Sequence, residues 1–287
     1  MALAAAIILI GAAPCGASAL MIGVGDQSPA MFTSPAFLAL HIGEARVNVP
    51  WNVATAASEQ GDLVSVAGWL QAARAAGVTP LVSFTGNGNY IPTAGQYTAA
   101  VRAFVRRFPT VRRYTPWNEP DWIYRRLSRE PLLAASFFNA LVRSCRGCTV
   151  LAGDLYLPAP QLRPWLRSYV KGLRYRPAGW ALHDYNDVRT HTAAQLTTLL
   201  SLTSGPVWLD EIGGVERRGH WRYANQSAVA AGRDEQFLVS LARRFRRVSR
   251  IYHYQWQSVP GQGWDSGLVE ANGRPRPAYY ALAGVLR

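Results

Sequence analysis

The chain has 287 residues, 49% of them hydrophobic and 16% charged. That is an ordinary globular composition, and it excludes a disordered or membrane-dominated protein. Thirty Lys and Arg against 17 Asp and Glu give a net charge of +13. Lys171 is the single lysine, so the positive charge is carried by arginine. Those arginines (Arg102, Arg106, Arg107, Arg243, Arg244, Arg246 and Arg247 among them) are spread along helical stretches and read as solvated helix faces. No basic stripe interleaved with aromatics points to nucleic acid, while an acidic polysaccharide stays open as a partner. No long linker, low-complexity tract or internal repeat is visible, so one domain is the simplest organisation.

Residues 1–19 read as a signal peptide: an apolar run from Ala2 to Ala13, then Ala17-Ser18-Ala19 as a small-x-small cleavage site. The run is too short to span a bilayer, and no Lys or Arg precedes it. A secreted or cell-envelope location is expected, with residues 20–287 as the mature domain. Cys145 and Cys148 are then the cysteines of the mature chain. With no second CxxC or paired histidine to complete a zinc site, they are expected to form a local disulfide at a helix end.

From there strands and helices alternate. Strands are predicted over Ala19–Val24, Glu44–Val49, Thr79–Phe84, Arg113–Trp117, Thr149–Gly153, Trp180–His183, Val207–Asp210 and Ile251–Trp256. Helices are predicted at Pro35–Leu40, Leu63–Ala76 (stopped by Gly77), Tyr97–Phe108, Leu132–Arg146, Ala159–Leu173, Thr192–Leu202, Ser227–Phe245 and Pro277–Leu286. Eight such units imply parallel pairing and an α/β fold, a single-domain (β/α)8 TIM barrel, with an open doubly wound sheet as the competitor. No Gly-x-Gly-x-x-Gly follows a strand, and Gly86-Asn87-Gly88-Asn89 lacks the Lys-Ser/Thr of a phosphate loop. No cofactor and no metal site are expected.

Polar residues collect at the predicted carboxyl ends of strands, where barrel enzymes carry their chemistry. They are Asp26, Arg46, Asn48, Asn118, Glu119, Asp154, His183, Tyr185, Glu211 and Gln255, with Trp51 and Trp256, whereas the amino ends look mostly apolar or basic. Glu119 lies in Trp117-Asn118-Glu119-Pro120, and prolines 116 and 120 discourage a helix through it. Glu211 follows the seventh strand, across the barrel mouth from the fourth. Two carboxyls about 5–5.5 Å apart suit retaining glycoside hydrolysis, and about 6.5–9.5 Å suits inversion. Asp210 adjoins Glu211, and strand alternation puts Trp208 and Asp210 on one face and Leu209 and Glu211 on the other.

Trp117-Asn118-Glu119-Pro120 after strand 4 and Glu211 after strand 7 resemble the retaining glycoside hydrolases of clan A, the 4/7 superfamily, nearest to families 5 and 39. Arg46 on strand 2, His183 and Tyr185 on strand 6 and Trp256 on strand 8 are similar to recurring site residues of that clan. The resemblance implies Glu119 as acid/base and Glu211 as nucleophile. It implies Arg46 and Tyr185 as partners of Glu211, Asn118 as a ligand of the sugar 2-OH, and Trp256 as a sugar-stacking face. Trp51, Trp117 and His183 complete the expected substrate-binding set, and Trp122, Trp264, Tyr90 and Trp221 are loop aromatics that could stack on sugar. The expected protein is a secreted monomer acting on a poly- or oligosaccharide. The alternatives are a carbohydrate-binding barrel without turnover and a transglycosylase on the same site.

Overall fold

A computed structural model of the chain describes residues 20–86, 90–123, 126–218 and 226–286. The signal-peptide reading of 1–19 and the loop residue Trp221 lie outside the described residues. Eight parallel strands close into a barrel: β1 (Met21–Gly25), β2 (Glu44–Pro50), β3 (Thr79–Thr85), β4 (Arg113–Thr115), β5 (Thr149–Leu155), β6 (Gly179–Leu182), β7 (Val207–Ile212) and β9 (Val248–Tyr254), with β9 pairing back to β1. A short antiparallel pair, β8 (Arg217–Arg218) with β10 (Trp264–Asp265), stands on the loops after β7 and β9. No helix among the described residues is long and apolar enough to cross a membrane.

The helices are α1 (Pro35–Leu38), α2 (Gln60–Ala75), α3 (Ala94–Arg107), α4 (Pro131–Ser144), α5 (Ala159–Gly172), α6 (Tyr185–Thr190), α7 (Ala194–Leu202), α8 (Ala228–Arg244) and α9 (Pro277–Leu286). Local signals set several ends. Gly77 takes φ +70° after α2, as a glycine stop should. Thr93 and Gln96 form a capping box at the start of α3, and the Ser227 hydroxyl accepts the Ala230 N–H at the start of α8. The helix expected at Thr192–Leu202 is preceded by an extra one, α6, and His191 in the left-handed conformation separates them. Cys145 and Cys148 are joined by a disulfide just after α4.

Side-chain alternation sorts each strand into an outer row, packed under the helices, and an inner row. Leu81, Leu151, Ala181, Trp208 and Tyr252 form their own buried cluster inside the barrel, apart from the main core between strands and helices. Register shifts break the alternation in three strands, with β9 carrying an extra residue between Val248 and Arg250 opposite β7. β5 shifts register between Gly153 and Leu155, and β7 shifts between Leu209 and Ile212. Such bulges re-aim one side chain without disturbing the rest of the sheet.

One expectation needs correction. The amino ends of the strands are not poor in polar groups: Glu44, first in β2, is 3% exposed and bonds Arg113, Arg250 and Tyr252. The predicted pattern missed it because its partners come from two other strands, β4 and β9, far away in sequence.

Candidate active site

At the carboxyl ends of the strands an inner-row cation organises the mouth. Arg46 is 1% exposed, and its Nη1 donates to Glu211 Oε2 at 2.6 Å. Its Nη2 donates to Asn118 Oδ1 at 2.8 Å and reaches both oxygens of Asp154 at 3.3 Å, while Nε lies 3.4 Å from Asp210. His183, fully buried just past β6, bridges Asp154 (Nε2 to Oδ1, 2.8 Å) and Glu119 (Nδ1 to Oε1, 3.0 Å). Tyr185, the first residue of α6 and not part of a strand, donates to Glu211 at 3.4 Å.

Glu119 follows β4 in a left-handed backbone conformation, φ +49°, which a glutamate rarely adopts and which clusters at functional sites. Its N–H donates to Asp154 O, and the Asn118 N–H donates to Phe84 O, so the stretch between the prolines is pinned to β5 and β3. Asp121 accepts the N–H groups of Tyr156 and Leu157 and ties the same loop to the end of β5. Burial pushes the Asp121 pKa up to about 7 against those donors.

Charge balance decides who holds protons. Four carboxyls (Glu119, Asp154, Asp210, Glu211) face two basic groups, Arg46 and His183. With all six ionised the cluster would be two charges too negative, so the protein interior favours two retained protons. Burial pushes Glu119 up, with Glu211 and Asp154 adding to the rise and His183 opposing it. Burial also pushes Asp210 well up, reinforced by the charge of Asp154. Burial acts the same way on Asp154, yet Arg46 and His183 overcome it and hold that carboxyl far below its usual range. Burial alone would strip the proton from His183, but Glu211 and Asp154 outweigh it and push the histidine well above its usual value. Burial thus raises the proton affinity of Glu119 and Asp210 and leaves Asp154 the strongest acid of the three.

Glu119 and Glu211 open onto one cavity of about 170 Å³, whose other walls are Trp122, Tyr156, Tyr185, Tyr254 and Trp264. Single donor atoms of Glu119, His183 and Glu211 lie within 4.8 Å of one another, so the two carboxyls face each other at close range. Asp154, His183 and Asp210 form a second such group beneath. Both sets resemble metal-ligand clusters in composition, but Arg46 already lies among them, bonded to Glu211 and 3.4 Å from Asp210, and His183 is bonded to Asp154. Asp210 has no exposure and does not line the cavity, whereas Glu211 does. By alternation Glu211 would point outward, and the register shift in β7 brings it to the mouth beside Asp210.

Not every expected residue joins this group. Trp256 lies beyond the end of β9, 2% exposed, edge-on to Phe37 and Tyr279. The aromatic on that strand that reaches the cavity is Tyr254, which the sequence reading missed although it sits on the inner row with Tyr252. Trp117 is 4% exposed and packs against Tyr97 and Phe137, because the chain turns away from the barrel axis after β4. Trp51 is 7% exposed and stacks on the exposed Tyr90, away from the carboxyls. These three tryptophans are packing residues and do not line the cavity. Of the loop aromatics, Trp122 and Trp264 line it. Asp26 and Gln255 brace the loop after β9: Asp26 accepts the N–H groups of Trp256 and Gln257, and Gln255 donates to Gln257 O.

Trp264 is held in place by its own ion network. Asp265 beside it bonds Arg217, Arg276 and Ser258, and the Trp264 indole donates to Ser266 Oγ. Its ring meets that of Tyr185 edge-on at 5.0 Å.

Solved structures that share this fold include glycoside hydrolases of families 39, 5 and 10. A family 39 glycoside hydrolase from the gut symbiont Bacteroides cellulosilyticus superposes with a TM-score of 0.64 at 16% identity, over 94% of this chain and 64% of that one. A GH5_18 from Streptomyces cattleya in complex with GlcNAc gives 0.66 at 14% identity, over 95% and 80%. A GH10 from Paenibacillus barcinonensis gives 0.62 at 11%, over 93% and 94%. At these identities the likeness is one of fold, and the chain spans about two thirds of the family 39 chain. No curated protein sequence matches it. The family model described as glycosyl hydrolase catalytic core matches residues 83–281, well over half of the chain, and this protein belongs to that family.

Proposed function

We propose that this protein is an exported, monomeric retaining glycosidase in which Glu211 is the nucleophile and Glu119 the acid/base. The observation that carries the reading is the approach of the two carboxyls across an aromatic cavity, with oxygens no more than 4.8 Å apart. Inversion needs about 6.5–9.5 Å to admit a water between them, and retention about 5–5.5 Å between carboxyl groups.

The environments suit the roles. The short charge-assisted bond from Arg46 holds one oxygen of Glu211, and Tyr185 orients the other. Glu211 attacks the anomeric carbon while Glu119, kept protonated by burial, gives its proton to the departing glycosidic oxygen. A glycosyl ester on Glu211 results. Glu119, now ionised, takes a proton from water as that water attacks the anomeric carbon and Glu211 leaves. Asn118, its oxygen held by Arg46, has its amide NH2 to offer the sugar 2-OH.

The basic surface, among the described residues, does not extend into the cavity. Among the described residues its only charged walls are the two carboxyls, and the nearest guanidinium, Arg46, is bonded beneath them. Five aromatic walls, and no free cation among the described residues, support an uncharged sugar, stacked on ring faces, over an acidic one. The Cys145–Cys148 disulfide supports an oxidising destination, in line with the apolar leader.

The test is to trap the intermediate. Incubation with activated 2-deoxy-2-fluoro glycosides and peptide mapping should place one sugar on Glu211. Release of product with inverted anomeric configuration, followed by NMR, would sink the retaining reading.

A further inference from the structure

One acid outside the cavity touches a partner of each cavity carboxyl. Asp154 follows the bulge in β5 with φ +70° and no exposure. Its Oδ2 accepts Ser83 Oγ at 2.5 Å and Thr115 Oγ1 at 2.8 Å, its Oδ1 accepts His183 Nε2 at 2.8 Å, and Arg46 Nη2 lies 3.3 Å from both oxygens. From there one path runs through the His183 ring to Glu119 at 3.0 Å, and another through the Arg46 guanidinium to Glu211 at 2.6 Å. The Asp154 carbonyl also accepts the Glu119 N–H.

We propose that Asp154 is the positioning residue of this site, fixing the His183 ring against Glu119 and the Arg46 guanidinium against Glu211. The proposal rests on the reading of those two glutamates as the catalytic pair.

Two features require a carboxylate at this position. Four donors converge on it, two hydroxyls, an imidazole N–H and a guanidinium, and an amide would turn its own NH2 toward at least one of them. A histidine bonded through Nε2–H to a carboxylate has its ring plane set, so Nδ1 is aimed at one point, here Glu119. The backbone makes the experiment clean, because asparagine tolerates a left-handed φ about as well as aspartate does. Asp154→Asn therefore changes charge and bonding without straining the bulge.

His183 is faced by Arg46 from β2, Glu119 after β4, Asp154 from β5, and Asp210 and Glu211 from β7. Removing the Asp154 charge takes one anion from that set and lowers the proton affinity of the ring. The imidazole titration of the full-length protein can be followed by long-range 1H–15N NMR, with His183→Gln used for assignment. In Asp154→Asn the His183 midpoint should fall by about one pH unit or more. On a panel of 4-nitrophenyl β-glycosides kcat should fall about 100-fold, the scale of a misplaced reacting group, with KM moving little.

A folded Asp154→Asn whose His183 titration does not move overturns the proposal, and so does one that loses turnover with His183 unmoved. If Asp154→Asn does not fold, Ser83→Ala with Thr115→Val takes its place, leaving the charge and removing two of its anchors. This pair should lower kcat about tenfold at unchanged KM, and an unchanged kcat overturns the proposal. If Glu119→Gln and Glu211→Gln keep full turnover while His183 still shifts in Asp154→Asn, the catalytic reading fails and the positioning geometry stands.

Discussion

The barrel holds a buried ion cluster at each end, and the two are built on opposite terms. At the amino end one carboxylate, Glu44, has both oxygens bonded, to Arg113, Arg250 and the Tyr252 hydroxyl. The two guanidiniums pack over the Trp208 ring, 5.8 Å and 4.0 Å from its centroid, and keep part of their surface in solvent. At the carboxyl end four carboxyls compete for Arg46 and His183. Both oxygens of Asp210 and the Arg46 Nε lack a hydrogen-bond partner, and Glu119 and Asp154 hold left-handed backbones. The two clusters lie two residues apart on β2, from Glu44 to Arg46. Satisfied charge at one end supports the fold. Crowded, partly unsatisfied charge at the other raises the proton affinity of Glu119, which suits acid/base chemistry and is a cost to stability.

That contrast predicts different failures at the two ends. Replacing Glu211 with Gln removes the proposed nucleophile and should lower kcat by about 10,000-fold or more, measured on aryl glycosides, with the melting temperature unchanged or raised. Glu119→Gln should cost about 100- to 10,000-fold on substrates with poor leaving groups and much less on dinitrophenyl glycosides, which leave without a proton.

The pH profile follows from the same carboxyl. The acid must be protonated and burial raises its pKa, so activity in the native protein should persist above the ordinary glutamate range. It should fall on the alkaline side as Glu119 loses its proton, and that alkaline limb should be absent from the residual activity of Glu119→Gln. An unchanged alkaline limb in that variant would assign it to another group.

Removing a buried cation is the next largest effect. Arg46→Met should destabilise the fold by about 3–5 kcal/mol in denaturant melts, because it leaves Asp154 and Glu211 uncompensated. At the other end Glu44→Gln should cost only about 1–3 kcal/mol, since its partners are partly solvated, and should leave kcat within about threefold. A large activity loss there would erase the distinction between the ends. Smallest of all, Trp264→Ala should raise KM by about three- to tenfold through a lost ring face, about 0.5–1.5 kcal/mol, with kcat little changed.

Much of this was legible in the chain. Strand and helix periods, the Gly77 stop and the run of eight units gave the barrel, because each depends on a residue's own backbone preferences and on burial over a few neighbours. The prolines around Glu119 marked the end of β4 for the same reason. Tyr254 was missed, and Trp256, Trp117 and Trp51 were overvalued, because whether an aromatic past a strand end faces the cavity or the helices depends on how the chain leaves the sheet. No local pattern carries that.

The sequence by itself determined the order of elements and the parallel barrel, since these follow from period and spacing, and its resemblance to a known clan paired a carboxyl after strand 4 with one at the end of strand 7. Only the tertiary structure decided which acids enter the site and in which state. The shifts of register in β5 and β7 turn Asp154 and Glu211 out of the alternation that their positions would dictate. Burial of four carboxyls around one guanidinium and one imidazole then raises the proton affinity of Glu119 and Asp210. Both are properties of groups far apart in sequence brought within bonding distance, where the low dielectric makes each charge depend on all the others.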